Sequence, residues 1–278
     1  RRIRLYAFRI PNQMLFYGAR LANVPKIDVL LGGVDVFFSP HFFLAPLSPR
    51  VRRVTAFHDL SYEYFPEFFS WRRRLWHRFQ MRPVWQAKFS DRIIAVSEST
   101  KHDLVRTYDI DPAKISVIPS GVDRTFSRPA QDVLEQFRSA KRLPERFVLC
   151  LGTLEPRKNV VGVIRAFNHV KQSGAFGDLH LVIVGAPGWL YRDIFAEAER
   201  SPHAGNICFV GSVRDEERAL YYSLASAFVY PSFFEGFGLP PLEAMACGTS
   251  VVASRTSSLP EVVADAGILV NPYDVAAI

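Results

Sequence analysis

The sequence predicts an α/β protein of two domains, each built on a parallel sheet of the doubly wound kind, and three observations predict it. From residue 143 onward, short apolar runs rich in β-branched residues alternate with segments of helical length. That is the pattern of βαβ units whose strands are buried on both faces. The length, 278 residues, exceeds what one hydrophobic core usually organises, so two domains are expected. The charge also divides: residues 1–142 carry 24 Lys and Arg against 13 Asp and Glu, whereas residues 143–278 carry 10 against 14. One half is suited to meet something anionic.

The chain opens on basic, helix-like residues and reaches its first clear strand near Val34, in VDVFFSP (34–40). RRVTAFHD (52–59), DRIIAVSE (91–98) and KISVIPSG (114–121) read as three more strands, with long helical segments after RRVTAFHD and DRIIAVSE. A doubly wound domain normally opens on a strand with a glycine-bearing turn, and the chain stops in NPYDVAAI where a helix is starting. Both ends are therefore read as cut, with about 70 to 100 N-terminal residues missing by the usual size of such domains. Residues 1–125 form the incomplete N-terminal domain. The polar stretch 123–145 carries Pro129 and Pro144 and suits a linker with a helical middle, set at 126–145. In the second domain, 146–278, RFVLCLGT (146–153) is a buried strand, 158–174 a helix and LHLVIVGAP (179–187) the next strand. A polar helix (191–200), the strand ICFVGSV, a helix over 214–225 and the strand AFVYPS follow, then a helix from about Leu239 and the strands SVVAS and ILVNP.

With 49% hydrophobic and 22% charged residues, the composition is globular. No apolar run approaches the roughly 18 residues of a membrane-spanning helix, and RRIRLYAFRIPNQ lacks the apolar core and cleavage site of a secretory signal. Cys150, Cys208 and Cys247 lie in apolar or strand-like surroundings without metal-ligand spacing, and read as reduced core cysteines of a cytoplasmic protein. A strand followed by G-x-G-x-x-G, a P-loop and H-E-x-x-H are all missing, so nicotinamide, ATP and zinc chemistry find no support. Basic residues concentrate at 71–85, where Trp71, Leu75, Trp76, Phe79 and Trp85 interleave with Arg72, Arg73, Arg74, Arg78 and Arg82. Trp and Arg at near-helical spacing suit a helix lying on an anionic bilayer surface; the alternative is an ordinary amphipathic helix with a solvated arginine face.

In open α/β sheets, ligands bind beyond the carboxyl ends of the strands, so residues that follow strands are the candidates. LGTLEPRKN puts Arg157 and Lys158 at the start of a helix, where charge-assisted bonds suit a diphosphate. In PSFFEGFGLPPLE, Gly236 and Gly238 let the backbone turn and approach a ligand, and Pro240 and Pro241 suit a first helical turn. Glu235 then falls in the loop mouth and Glu243 about one turn into the helix. AFHDLSYEYFPE puts His58 and Asp59 beyond a strand of the first half, where a histidine can bond a hydroxyl or move a proton. Each of these also has a plain structural reading: solvated cations, a glutamate complementing a helix start, a structural histidine.

Taken in order, FHDL, AVSEST, VIPSGVD, LGTLEPRKN, FVGSV, YPSFFEGFGLPPLEAMACGTSVVAS and LPEVVADAGILV resemble the motifs of the family-four retaining glycosyltransferases, and they span most of residues 34–272. The resemblance implies the GT-B fold: two facing Rossmann-like doubly wound domains with a cleft between them, the N-terminal one presenting an acceptor and the C-terminal one holding a nucleotide sugar. It implies that Glu243 accepts hydrogen bonds from the ribose and that Glu235 touches hydroxyls of the transferred sugar. Arg157 and Lys158 would neutralise the diphosphate, with the amides of Phe237, Gly238 and Leu239 completing its cradle; Gly152, Thr153 and Gly236 belong to the same donor site. His58 would bond the sugar near the reacting carbon, with Asp59 beside it on the acceptor side, and backbone around Ser212 and Val213 would read the base. Two departures stand out. Thr153 occupies the place where many relatives carry an arginine, whose charge Arg157 is expected to take over, and the family's glycine-rich first loop is not in this chain.

The implied reaction moves a hexosyl unit from a nucleotide diphosphate sugar to an acceptor hydroxyl, with retention and with no cofactor or metal ion. HDLSYE and EPRKN resemble bacterial mannosyltransferases of surface-polysaccharide assembly, so GDP-mannose is the first expected donor and a UDP-hexose the second. The Trp/Arg segment favours a lipid-linked or polyanionic glycan acceptor at the inner membrane face. A non-hydrolysing sugar-nucleotide epimerase and a non-catalytic nucleotide-sugar-binding domain stay open as alternatives. A nucleic-acid binder would explain the basic segment but not Glu235, Glu243, Arg157 and Lys158 converging beyond strand ends, so no nucleic-acid partner is expected.

Overall fold

The computed structural model describes residues 3–278, apart from the side chains of Arg78 and Gln80, so the Arg78 side chain of the basic segment lies outside the described residues. Each of the ten apolar runs marked above contains a strand: β1 (Val36–Ser39), β2 (Arg52–Phe57), β3 (Arg92–Ala95), β4 (Ile115–Val117), β5 (Phe147–Leu151), β6 (His180–Val184), β7 (Ile207–Gly211), β8 (Ala227–Tyr230), β9 (Val251–Ser254) and β10 (Ile268–Val270). All strand pairings are parallel, in one sheet ordered β1-β2-β3-β4 and another ordered β10-β9-β8-β5-β6-β7.

The chain forms two compact units. The first holds the residues up to Leu60 together with Trp71–Ile118, and the second holds Ser61–Ser70 together with Pro119–Ile278. The second unit thus takes in a short piece from the first half of the sequence, which periodicity cannot reveal. The helix Gln131–Lys141, expected inside a linker, belongs to the second unit, buries Leu134 in its core and packs the half-buried Phe137 against it.

In the first unit Phe57, Leu60, Ile93 and Leu104 are fully buried. Its helix Glu98–Tyr108 begins where the Ser97 hydroxyl accepts a hydrogen bond from the Thr100 amide at 3.0 Å, a serine N-cap. The basic segment departs from the single helix expected over 71–85. It runs as an α-helix at Trp71–Leu75, widens to a π-helix at Trp76–Met81, and breaks at Arg82 (φ 48°) before a separate helix Pro83–Lys88. Proline disfavours helical backbone at the residue before it, which places the break at Arg82.

In the second unit the period of two along the strands serves two cores. Phe147, Leu149, Leu151, Val182 and Val184 pack on one face with Tyr221, Tyr222 and Phe228. Cys150, Leu181 and Ile183 pack on the other with Ile164 and Phe167. Burying such a side chain contributes about 1.5–3 kcal/mol, and doing so on both faces explains why these strands read as continuous apolar runs. The three cysteines are free thiols; burial pushes Cys150 up to about 12 although nearby Lys158 pulls the other way. Among the described residues, no helix is long and apolar enough to cross a membrane.

The strand order fixes where a ligand can enter. From β5 the chain winds one way through β6 and β7, then returns to the other side of β5 with β8 and continues to β9 and β10. The direction reverses between β5 and β8, and beyond their carboxyl ends the connecting loops separate and leave a crevice.

Candidate active site

The loops that follow β5 and β8 meet at this reversal and are tied to each other by backbone. The Phe233 amide donates to the Arg157 carbonyl at 2.9 Å. The Asn159 side chain donates to the carbonyls of Pro231 (3.2 Å) and Pro272 (2.7 Å) from a left-handed backbone position at φ 55°, a conformation asparagine tolerates better than most residues. Pro156 starts a 3-10 turn, Pro156–Lys158, and the following helix is Val160–Gln172. Arg157 and Lys158 therefore sit in the turn before the helix and not in the helix expected from residue 158.

The turn delivers both cations to Glu235. Arg157 Nη1 lies 2.8 Å from Glu235 Oε2 and donates at 2.8 Å to the Phe234 carbonyl, and Lys158 Nζ donates to Glu235 Oε1 at 2.6 Å. Tyr230, the last residue of β8, accepts from Lys158 Nζ at 2.5 Å and donates to Glu235 Oε1 at 2.9 Å, closing a ring of bonds. On the far side Arg157 Nη2 donates to Glu155 Oε1 at 2.7 Å. Glu235 is 7% exposed and Glu155 2%. Burial alone would raise the Glu235 carboxyl, but Arg157 and then Lys158 outweigh it and hold it at about 2. At Glu155 burial wins over the same two cations and the carboxyl is raised. Burial pulls the Lys158 amine down, with Glu235 opposing, and pushes the Tyr230 phenol well above its usual range, with Glu235 adding to it.

The sequence reading expects cations open to a diphosphate, and here they are already paired with two carboxylates, so the cluster is balanced in charge. One of the three Lys158 N–H bonds remains beyond its two protein acceptors. The amides of Phe237, Gly238 and Leu239 donate to no acceptor among the described residues, so three backbone donors stand at the start of the helix Leu239–Ala246. Gly238 makes that approach possible: its φ is 117°, and a Cβ there would lie 2.7 Å from Leu259 Cδ2.

Glu243, on that helix and 4% exposed, has a separate set of partners. Its Oε2 accepts from Arg218 Nη2 and from the Tyr222 hydroxyl, the latter at 2.9 Å. Glu235 and Glu243 therefore share no partner. The loop between them is braced from the start of the helix Leu259–Val263. Ser257 Oγ accepts from the Glu235 amide at 2.8 Å, and Ser258 Oγ is placed to donate to the carbonyls of Glu235 (2.9 Å) and Phe237 (2.6 Å). The Ser61–Ser70 segment adds an aromatic brace: Tyr64 stacks on Phe234 at 5.5 Å, Phe68 meets Phe233 at 5.5 Å, and the Trp189 indole donates to the Phe68 carbonyl.

The remaining sequence candidates fall as follows. Gly152 and the exposed Thr153 lead out of β5, Gly236 is buried in the loop, and Ser212 and Val213 follow β7. His58 and Asp59 belong to the first unit, at the carboxyl end of β2. His58 Nε2 lies 2.8 Å from the Pro40 carbonyl. A carbonyl only accepts, so Nε2 is the donor in this contact. Glu155, Tyr230, Arg218, Tyr222, Ser257 and Ser258 were not anticipated; only Tyr230 carries a signal, through its place at the end of a strand.

The family model described as Glycosyl transferases group 1 matches residues 133–278, which contain the whole two-loop cluster. The chain belongs to this family. Residues 2–126 of this group 1 glycosyl transferase match the model described as Glycosyltransferase Family 4. The chain is 35% identical over 248 residues to O-antigen chain mannosyltransferase B of Escherichia coli, covering 87% of this chain and 63% of that protein. It is 31% identical over 200 residues to the serotype-specific mannosyltransferase WbdA of Escherichia coli, covering 71% of this chain and 24% of that one. The chain thus spans less than two thirds of the length of these curated relatives. Among solved structures, sucrose-phosphate synthase from Thermosynechococcus elongatus matches with a TM-score of 0.74 at 23% identity, over 96% of this chain and 68% of that one. That likeness shows the fold, an α/β architecture of parallel sheets shared with GT-B enzymes.

Proposed function

We propose that this glycosyl transferase moves a hexosyl unit, mannosyl in the first instance, from a nucleotide diphosphate sugar to a hydroxyl of a glycan or lipid-linked acceptor, with retention of configuration, in surface-polysaccharide assembly. The observation that carries the reading is the convergence of Arg157, Lys158 and Glu235 at the reversal of the six-stranded sheet, beside three unbonded amides. The relatives' names support the mannosyl unit and the O-antigen setting, which favours GDP-mannose as donor over a UDP-hexose. An arriving diphosphate competes with Glu235 for both cations; Glu235, released from them, is then available to the sugar hydroxyls. As the bond from the anomeric carbon to the diphosphate breaks, charge grows on the leaving group where Arg157, Lys158 and the amides already point. Fixed cations take the part of a metal ion in this proposal, so transfer is expected to be insensitive to EDTA. The exposed Trp71, Leu75, Trp76 and Phe79 beside Arg72, Arg73 and Arg74 support work on an anionic surface at the inner membrane face.

The test is transfer of radiolabelled mannose from GDP-mannose, and of glucose from UDP-glucose, to a mannose-terminated oligosaccharide, with and without EDTA. The doubly substituted Arg157→Ala, Lys158→Ala enzyme should lose far more turnover than donor affinity if the pair stabilises a leaving group. Unchanged turnover removes the pair from the mechanism, and epimerised donor without acceptor would sink the transferase reading.

A further inference from the structure

We propose that Arg218 is a positioning residue for the nucleotide: together with Tyr222 it grips one oxygen of Glu243 so that the other is presented, already oriented, to the ribose hydroxyls. The proposal rests on the reading of Glu243 as the ribose acceptor. Arg218 and Tyr222 lie four residues apart on the helix Asp215–Leu224, so one face of that helix carries both. That face meets the helix Leu239–Ala246 at Glu243, where Arg218 Nη2 and the Tyr222 hydroxyl both donate to Oε2. The other oxygen, Oε1, takes no hydrogen bond from the described residues and is not sealed from solvent. Two donors on one oxygen stop the carboxylate from rotating, so a ligand that bonds Oε1 does not bear the cost of ordering it.

Arg218 is itself held in place. Its guanidinium carbon sits 5.1 Å from the centre of the Phe126 ring, and Nη1 lies 3.5 Å from Asp215 Oδ1. A flat guanidinium can stack on a ring and fork onto a carboxylate together; a lysine ammonium supplies charge without that geometry. The helix that bears Arg218 also follows β7 and the Ser212–Val213 backbone, so the same connection from β7 would serve base and ribose.

The experiment is titration calorimetry with GDP and UDP and their 2′,3′-dideoxy counterparts on the wild type, Arg218→Leu, Arg218→Lys and Tyr222→Phe. The wild type should prefer the ribonucleotide about tenfold or more, the usual weight of a charge-assisted hydrogen bond. In Arg218→Leu that ratio should fall to within about threefold, with Arg218→Lys intermediate. A merely structural role would weaken both ligands together and leave the ratio intact, which overturns the proposal. Should Arg218→Leu fail to fold, an unchanged ratio in both Arg218→Lys and Tyr222→Phe overturns it as well. A wild type that binds both sugars' nucleotides equally well overturns the ribose role of Glu243, and one that binds neither GDP nor UDP overturns the nucleotide-sugar reading itself.

Discussion

Glu235 remains a carboxylate in near-complete burial because Arg157 and Lys158 each meet one of its oxygens. Its folded pKa of about 2 lies below the ordinary 4.5, so its ionisation favours the folded state. That contribution is fully present above 4.5 and is lost as pH falls toward 2. Urea denaturation of wild type and Glu235→Gln across this range should therefore show a stability gap that is constant near neutral pH and closes on acidification through that window; a gap that widens on acidification would mean the carboxylate is not held by the cations. Arg157, Lys158, Glu235 and Glu243 were legible because each follows a strand of a parallel sheet. Glu155 and Arg218 were not. A glutamate before proline looks like a turn residue and an arginine in RDEERALYY looks like a solvated helix face, and only the closed fold brings each to its partner.

At the scale of elements, alternation between β-branched runs and helical segments was enough to place all ten strands, while breaks inside helical segments were not visible. The break at Arg82 comes before a proline, which disfavours helical backbone at that residue, and the turn at Pro156–Lys158 is held by hydrogen bonds to a loop some 70 residues away. Glycine at the ends of strands is the feature that lets the site loops crowd together. The Gly152 amide donates to the Val184 carbonyl and the Gly185 amide to the Gly211 carbonyl, both at 2.9 Å. Gly185 has φ 152°, and a Cβ on it would lie 1.8 Å from the Gly152 carbonyl oxygen. Gly185→Ala should cost about 3 kcal/mol or more, since the contact is with backbone that cannot swing aside. Gly205→Ala, whose Cβ would meet nothing within 4 Å, should stay within about 0.5 kcal/mol. Chemical denaturation of the two variants checks this, and equal stabilities would show that the strand ends can spread.

Over the whole molecule, the alternation of apolar runs made an α/β body legible and the charge distribution a basic first half, but neither showed the discontinuity of the second unit. Ser61–Ser70 joins that unit through Tyr64, Phe65 and Phe68 against Phe233 and Phe234, and such pairing of aromatic residues far apart in sequence leaves no periodic trace. The segment runs directly into the basic helices, where Trp71 is 65% exposed and the Arg72 guanidinium lies 5.4 Å from its ring centre. Exposed tryptophan beside arginine has two uses for a bilayer: the ring sits at the headgroup level and the cation meets anionic lipid. Each arginine near such a surface contributes about 1 kcal/mol, so Arg72, Arg73 and Arg74 together should change partitioning roughly a hundredfold. Vesicles of phosphatidylglycerol should therefore sediment the protein at low salt, vesicles of phosphatidylcholine should do so weakly, and the triple Arg→Gln variant should lose the difference. Raising salt from 0.1 to about 0.5 M should weaken binding because surface charges are screened, whereas Trp71→Ala with Trp76→Ala should weaken it at every salt concentration. Equal binding to both lipids, or none to either, would leave the arginine face as a solvated helix surface and detach the membrane from the proposed function.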